Sequence, residues 1–213
     1  MAKMKNNDAR PESIDDFKND VLKEIGNIGS GHVLTALSAF TNKEFSLCVP
    51  EVEFLDYDEL PARLGSSEEL RVSVALKISG DISGMFMFLA DRELAAALLE
   101  SVGLAADTRD EAWEVSVMQD SALKEIGNII SNSYINAICE LTGLDMTVSV
   151  PAMAVDMLGS LLVLPIIHFA VTDSKILYVH SAFRINGENY NGNVILFPDY
   201  SSMETLLGAI AKY

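Results

Sequence analysis

The chain has 213 residues, with 31 Asp and Glu against 15 Lys and Arg, a formal net charge of −16 at pH 7 and an isoelectric point near 4.4. That balance argues against nucleic acid and against an anionic membrane surface, because both are met by Lys and Arg; it suits a partner that offers a basic patch. Hydrophobic residues make up 49% and charged residues 22%, enough apolar material for one domain built of two similar halves.

The polar N-terminal stretch up to Asp20 shows no charged n-region followed by an apolar h-region, so no leader is expected. From residue 14 to 40, Val21, Leu22, Ile25, Ile28, Val33, Ala36 and Phe40 recur at helical spacing and predict a long amphipathic helix that stops near Asn42. Cys48 follows; with Cys139 it matches no metal spacing, and both read as reduced, buried thiols. Residues 72–78 and 85–89, parted by Gly80 and further turn residues, predict a β-hairpin, and 92–102 a helix. An acidic connector, 105–114, leads into a second long helix with an acidic start at Asp110-Glu111. Its apolar residues are Leu123, Ile126, Ile130, Ala137 and Leu141, and its stop is Thr142-Gly143. The most apolar run, 161–171, holds Pro165 and His168 and is far shorter than the ~20 residues a membrane helix needs. A cytoplasmic protein without membrane insertion is therefore expected. Residues 182–185 and 194–197 around Asn186-Gly187 predict a second hairpin, and 201–210 a final helix. The expected fold is α+β with an antiparallel sheet and pseudo-two-fold symmetry: one domain, 1–213, of two homologous halves, about 14–104 and 111–211.

The halves are linked by a repeat. Leu22-Lys23-Glu24-Ile25-Gly26-Asn27-Ile28 returns word for word 101 residues later as 123–129. Four residues before each Glu stands Asp20 or Ser121, and 23 residues after each Asn stands Pro50 or Pro151. Further on the offset drifts, to 107 at Gly80 and Gly187 and 108 at Asp91 and Asp199, which inserted residues in the second half's strands would explain. On a helical wheel with Asp20 at zero, Glu24 falls at about 40° and Asn27 at about 340°, whereas the apolar residues centre near about 130°. Ser121, Glu125, Asn128 and Asn132 form the same stripe on the second helix.

One acid–amide pair on a solvent face would be decoration. Two copies surviving duplication, while Asp20 and Ser121 diverged, point to work done by Glu24, Asn27, Glu125 and Asn128. Interior Asn and Gly are poor helix formers, and Gly26 and Gly127 each cost about 1 kcal/mol against Ala. Close helix packing would account for Gly, not for Asn. The three histidines, His32, His168 and His180, have no repeated partners. Neither Glu has a neighbour at metal-ligand spacing, and no phosphate loop is present. A carboxamide can hold a water through donor and acceptor at once, and the adjacent carboxylate can clamp a cation on a docked partner. That chemistry suits hydrolysis in which the substrate protein supplies most of the machinery.

Asp20-x3-Glu24-x2-Asn27-x22-Pro50 and Ser121-x3-Glu125-x2-Asn128-x22-Pro151 each resemble the signature of the CheC/CheX/FliY family of bacterial chemotaxis phosphatases. The two-halved layout and length look closest to the CheC branch. The resemblance implies a phosphatase whose substrate is phosphorylated CheY, a response regulator carrying an aspartyl phosphate. Asn27 and Asn128 would orient the attacking water, and Glu24 and Glu125 would pair with the regulator's active-site lysine. The Mg²⁺ would come with the regulator, leaving no cofactor or metal of this chain's own. Asp20, Ser121, Pro50 and Pro151 would shape the sites; a purely structural role for the prolines is the alternative. The resemblance also implies binding of CheD, a receptor deamidase, at a segment that Asp156-Met157-Leu158-Gly159 looks like, with Asp156 as the contact; an N-cap role for Asp156 is the other reading. The chain would be a monomer or a CheD heterodimer. The alternative function is a largely non-catalytic adaptor that binds CheD or CheY. A structural part of the flagellar switch is disfavoured, since FliY carries a further motor-switch domain for which the length leaves no room.

Overall fold

The computed structural model describes residues 14–47, 51–105, 113–170 and 175–212. Helix α1, Ile14–Thr41, buries Val21, Leu22, Ile25, Val33 and Leu37 and leaves Asp20, Glu24, Asn27 and Gly31 exposed, as the wheel requires. It ends where Asn42 turns left-handed (φ 56°) and donates its N–H to the Ser38 carbonyl at 2.9 Å, a conformation Asn tolerates. Strands β1, Phe45–Leu47, and β2, Glu51–Asp56, lead to the short α2, Leu60–Leu64. The first predicted hairpin is β3, Leu70–Gly80, and β4, Gly84–Ala90. Helix α3, Arg92–Ser101, follows, capped by Asp91, whose carboxylate accepts from the Leu94 N–H at 2.7 Å.

Helix α4, Val117–Thr142, does not begin where expected. Asp110-Glu111 lies outside the described residues, and the start is a capping box in which Ser116 accepts from the Gln119 N–H and Gln119 accepts from the Ser116 N–H. Its stop at Gly143 (φ 69°) is as predicted. The second half continues with β5, Met146–Val148, β6, Ala152–Met157, and α5, Leu158–Phe169. It closes with β7, Lys175–Ile185, β8, Glu188–Pro198, and α6, Tyr200–Ile210. Asn186 (φ 53°) and Gly187 (φ 89°) form the two-residue turn between β7 and β8, the left-handed pair that a tight hairpin demands.

All strands pair antiparallel in one sheet of order β1-β7-β8-β4-β3-β5, with β2 also on β7 and β6 also on β3. Each half's two short strands thus pair with the long strand of the other half. The registers match: Asp56, ending β2, faces Lys175 at the start of β7, and Met157, ending β6, faces Leu70 at the start of β3. The long strands therefore stand 105 residues apart where the helices stand 101 apart. The first four inserted residues lie between β6 and β7, where α5 and its flanks are longer than α2, and not within the strands as the drifting offset suggested.

The sheet separates two apolar clusters. On one side α1, α3, α4 and α6 bury Leu22, Ile25, Leu98, Ile126, Ile130 and Leu206 against Val74, Leu76, Phe86 and Phe183. On the other side α2 and α5 bury Leu60, Leu64, Leu158 and Leu162 against Met87, Leu89, Tyr178, Ile195 and Phe197. Burial on both faces makes the central strands continuous apolar runs with no period of two. The apolar run at 161–171 proves helical over most of its length, with Pro165 inside α5. Among the described residues no helix is long and apolar enough to cross a membrane.

Candidate functional site

Helices α1 and α4 pack on each other, and small residues set how closely. A Cβ added at Gly29 would stand 2.5 Å from Cδ1 of Tyr134 on α4, and one at Gly127 would stand 2.5 Å from the Val74 side chain on β3. Tyr134 is buried, and its hydroxyl lies 3.2 Å from Ser30 Oγ on α1 and 3.0 Å from Ser181 Oγ on β7. Burial pushes the Tyr134 phenol above its ordinary pKa, so it stays a neutral link between two helices and the sheet. Gly127 in the repeat thus serves close packing. Gly26, its counterpart, is also buried.

This frame aims the repeated polar residues outward. Glu24 and Asn27 are exposed on α1, and among the described residues neither side chain has a hydrogen-bond or ion-pair partner. Asp20 pairs with Lys23 at 3.2 Å, both side chains about two-thirds exposed (63% and 68%). On α4 Glu125 is exposed and likewise unpaired among the described residues, while Asn128 is half-buried. Ser121 donates its hydroxyl to the Val117 carbonyl at 3.0 Å, and Lys124 pairs with Asp120 at 2.8 Å. Asn132 Nδ2 donates to the Asn128 carbonyl at 2.8 Å and to Asn128 Oδ1 at 2.9 Å. The two stripes are therefore alike in Glu and Asn and different in their surroundings: Gly31 holds the position on α1 that Asn132 holds on α4.

The remaining expected site residues sit elsewhere. Pro151 is half-buried just before β6, while Pro50 lies outside the described residues, as does Cys48. Cys139 is half-buried, three residues from the end of α4, and not fully buried as expected; burial still pushes its thiol up. Asp156 is exposed near the end of β6, opposite Arg71 on β3. It is not the N-cap of α5: that position is Met157, and Asp156 Oδ1 accepts from the Met157 N–H at 2.7 Å. Sequence reasoning placed Asn132 on the stripe without a role, and it missed the Ser30–Tyr134–Ser181 link altogether. A tyrosine with two serines more than 40 residues away leaves no local pattern.

Among the described residues no three His, Cys, Asp or Glu side chains gather in a way that could hold a metal. The site thus offers carboxylates, carboxamides and a hydroxyl on two adjacent helices, open to a protein-sized partner. A cavity of about 700 Å³ lies on the other face of the sheet, between α5 and β3, and holds none of these residues.

The chain is similar to known proteins in sequence and in fold. A CheC-like family model matches residues 17–53, which contain Asp20, Glu24 and Asn27, and a chemotaxis phosphatase CheX model matches residues 72–162, which contain Ser121, Glu125 and Asn128. The chain is similar to the CheY-P phosphatase CheC of Bacillus subtilis, with 28% identity over 193 residues, 90% of this chain and 92% of that one. Its fold is similar to that of FliY from Thermotoga maritima, with a TM-score of 0.70, 20% identity and coverage of 95% and 98% of the two chains. It is also similar to a chain in the CheX-CheY-BeF3-Mg complex of Borrelia burgdorferi, with a TM-score of 0.53, 17% identity and coverage of 84% and 99%.

Proposed function

We propose that this chain is a phosphatase of the CheC/CheX/FliY type and hydrolyses the aspartyl phosphate of a CheY-type response regulator; the CheC-like and CheX family-model matches and the likeness to the CheY-P phosphatase CheC of Bacillus subtilis support the reading. The observation that carries the reading is the pair of exposed carboxylates, Glu24 and Glu125, each beside an Asn on the outer surface of the helix layer. A carboxylate with no intrachain partner is ready to clamp a docked ammonium, and charge-assisted hydrogen bonds of that kind are the strong ones. The net charge of −16 favours encounter with a cationic patch around such a lysine.

In the proposed reaction Asn27 or Asn128 holds a water in line with the phosphorus. The water oxygen bonds to phosphorus, the bond between phosphorus and the regulator's carboxylate oxygen breaks, and its electron pair returns to that carboxylate. Both protons of the water leave with inorganic phosphate, as dihydrogen phosphate. Mg²⁺ belongs to the phosphorylated regulator and arrives with it as part of the substrate, so this chain provides docking and orientation. Fixing a reactant in near-attack geometry can supply several kcal/mol of the barrier. Asp20, Ser121, Pro50 and Pro151 shape the two sites in this reading. Asp156 contacts CheD, and the chain works in the cytoplasm as a monomer or as a CheD heterodimer. Exposure of Asp156 at the end of β6 supports that contact.

The test is phosphate release from a phosphorylated CheY-type regulator with Mg²⁺, with and without this protein. Release well above the regulator's own rate is expected; an unchanged rate would leave only binding, the adaptor function.

A further inference from the structure

We propose that Asn132 is a positioning residue that locks the carboxamide of Asn128, so that the second site holds its water in one orientation while the first does not. The inference rests on the phosphatase reading above. Its basis is an assignment of atoms that the geometry makes unambiguous. The backbone carbonyl of Asn128 can only accept, so the Asn132 atom 2.8 Å from it is the amide nitrogen. That same nitrogen stands 2.9 Å from the end of the Asn128 side chain, and a donor there requires Oδ1 to face it. A flipped Asn128 would set two N–H groups against each other. The torsion that would otherwise swing the amide is thereby fixed, and Nδ2 and the second lone pair of Oδ1 are left for the substrate side.

On α1 this device is absent. The equivalent of Asn132 is Gly31, and Asn27 is exposed with no side-chain partner among the described residues. The space for a lock is there: a Cβ added at Gly31 would meet nothing within 4 Å. The sites therefore differ in the orientational freedom of the amide, and the clamping Glu is the same in both. Orientation of the attacking water enters the chemical step, whereas regulator affinity rests on the Glu and the surrounding surface.

The experiment isolates each site and separates kcat from KM. In an Asn27→Ala background, adding Asn132→Ala should lower kcat for phosphate release from the phosphorylated regulator about three- to tenfold, the range of one ordinary hydrogen bond. KM should stay within about twofold of the Asn27→Ala parent, since clamping is untouched. In an Asn128→Ala background, Gly31→Asn should raise first-site kcat, and this variant decides the matter should Asn132→Ala fold poorly. An unchanged kcat with Asn132→Ala, a rise in KM alone, or a first site indifferent to Gly31→Asn would each overturn the proposal. So would a silent Asn27→Ala protein beside an active wild type; a silent wild type would overturn the phosphatase reading itself.

Discussion

At the scale of single residues, solvent-facing side chains and buried ones were unequally legible in the sequence. The stripe of Glu24, Asn27, Glu125 and Asn128 could be placed because a helix repeats every 3.6 residues and the seven-residue identity fixed its phase. What Gly127 touches could not, because Val74 approaches it from a strand more than 50 residues away. Gly127→Ala should therefore destabilise the fold by about 1–3 kcal/mol, the usual cost of overpacking, although alanine is the better helix former. Urea unfolding measures this directly. Tyr134→Phe should cost about 1–2 kcal/mol, since it leaves Ser30 and Ser181 buried with one partner fewer each. A phenylalanine variant as stable as wild type would show that the serines find other partners.

Among the elements, the long helices and the two hairpins emerged from periodicity and turn chemistry, with ends marked by Asn42, Gly143 and Asn186-Gly187. The short elements did not. Strands β1 and β5 have three residues each, and β2 and β6 have six; each is held by a strand of the opposite half, so nothing local announces it. Helix α5 hid for a different reason. It is apolar nearly all round and contains Pro165, so it reads as a broken run, yet Leu158, Leu162 and Pro165 point inward while Leu164 and Ile167 face outward. The start of α4 offers a clean check on element stability. Ser116→Ala removes the hydroxyl that accepts from Gln119 and should cost about 1 kcal/mol by thermal or urea unfolding.

The whole molecule is tied together by exchange. Since β1 and β2 lie on β7 while β5 and β6 lie on β3, a half cut from the rest loses the partners of its edge strands and exposes both apolar clusters. Residues 14–105 expressed alone should therefore give no folded monomer. Circular dichroism and gel filtration test this, and a compact, cooperatively unfolding monomer would contradict it. The exchange also sets both acid–amide pairs on one side of the sheet and Asp156 at the end of a strand packed elsewhere. Asp156→Lys should therefore weaken CheD binding while leaving basal phosphate release near wild type; calorimetric titration showing unchanged affinity would remove Asp156 from that surface.

The central claim is that Asn27 and Asn128, each beside a clamping glutamate, position the water that attacks the regulator's phosphate. Asn27→Ala and Asn128→Ala together remove both carboxamides, one exposed and one half-buried, and leave the buried apolar core untouched. Release of inorganic phosphate from a phosphorylated CheY-type regulator, followed with the double variant at wild-type concentration, is the most direct measurement. The account predicts a rate no higher than that of the regulator alone, with the variant as folded as wild type and each single variant partly active. A double variant that hydrolyses at the wild-type rate would contradict it.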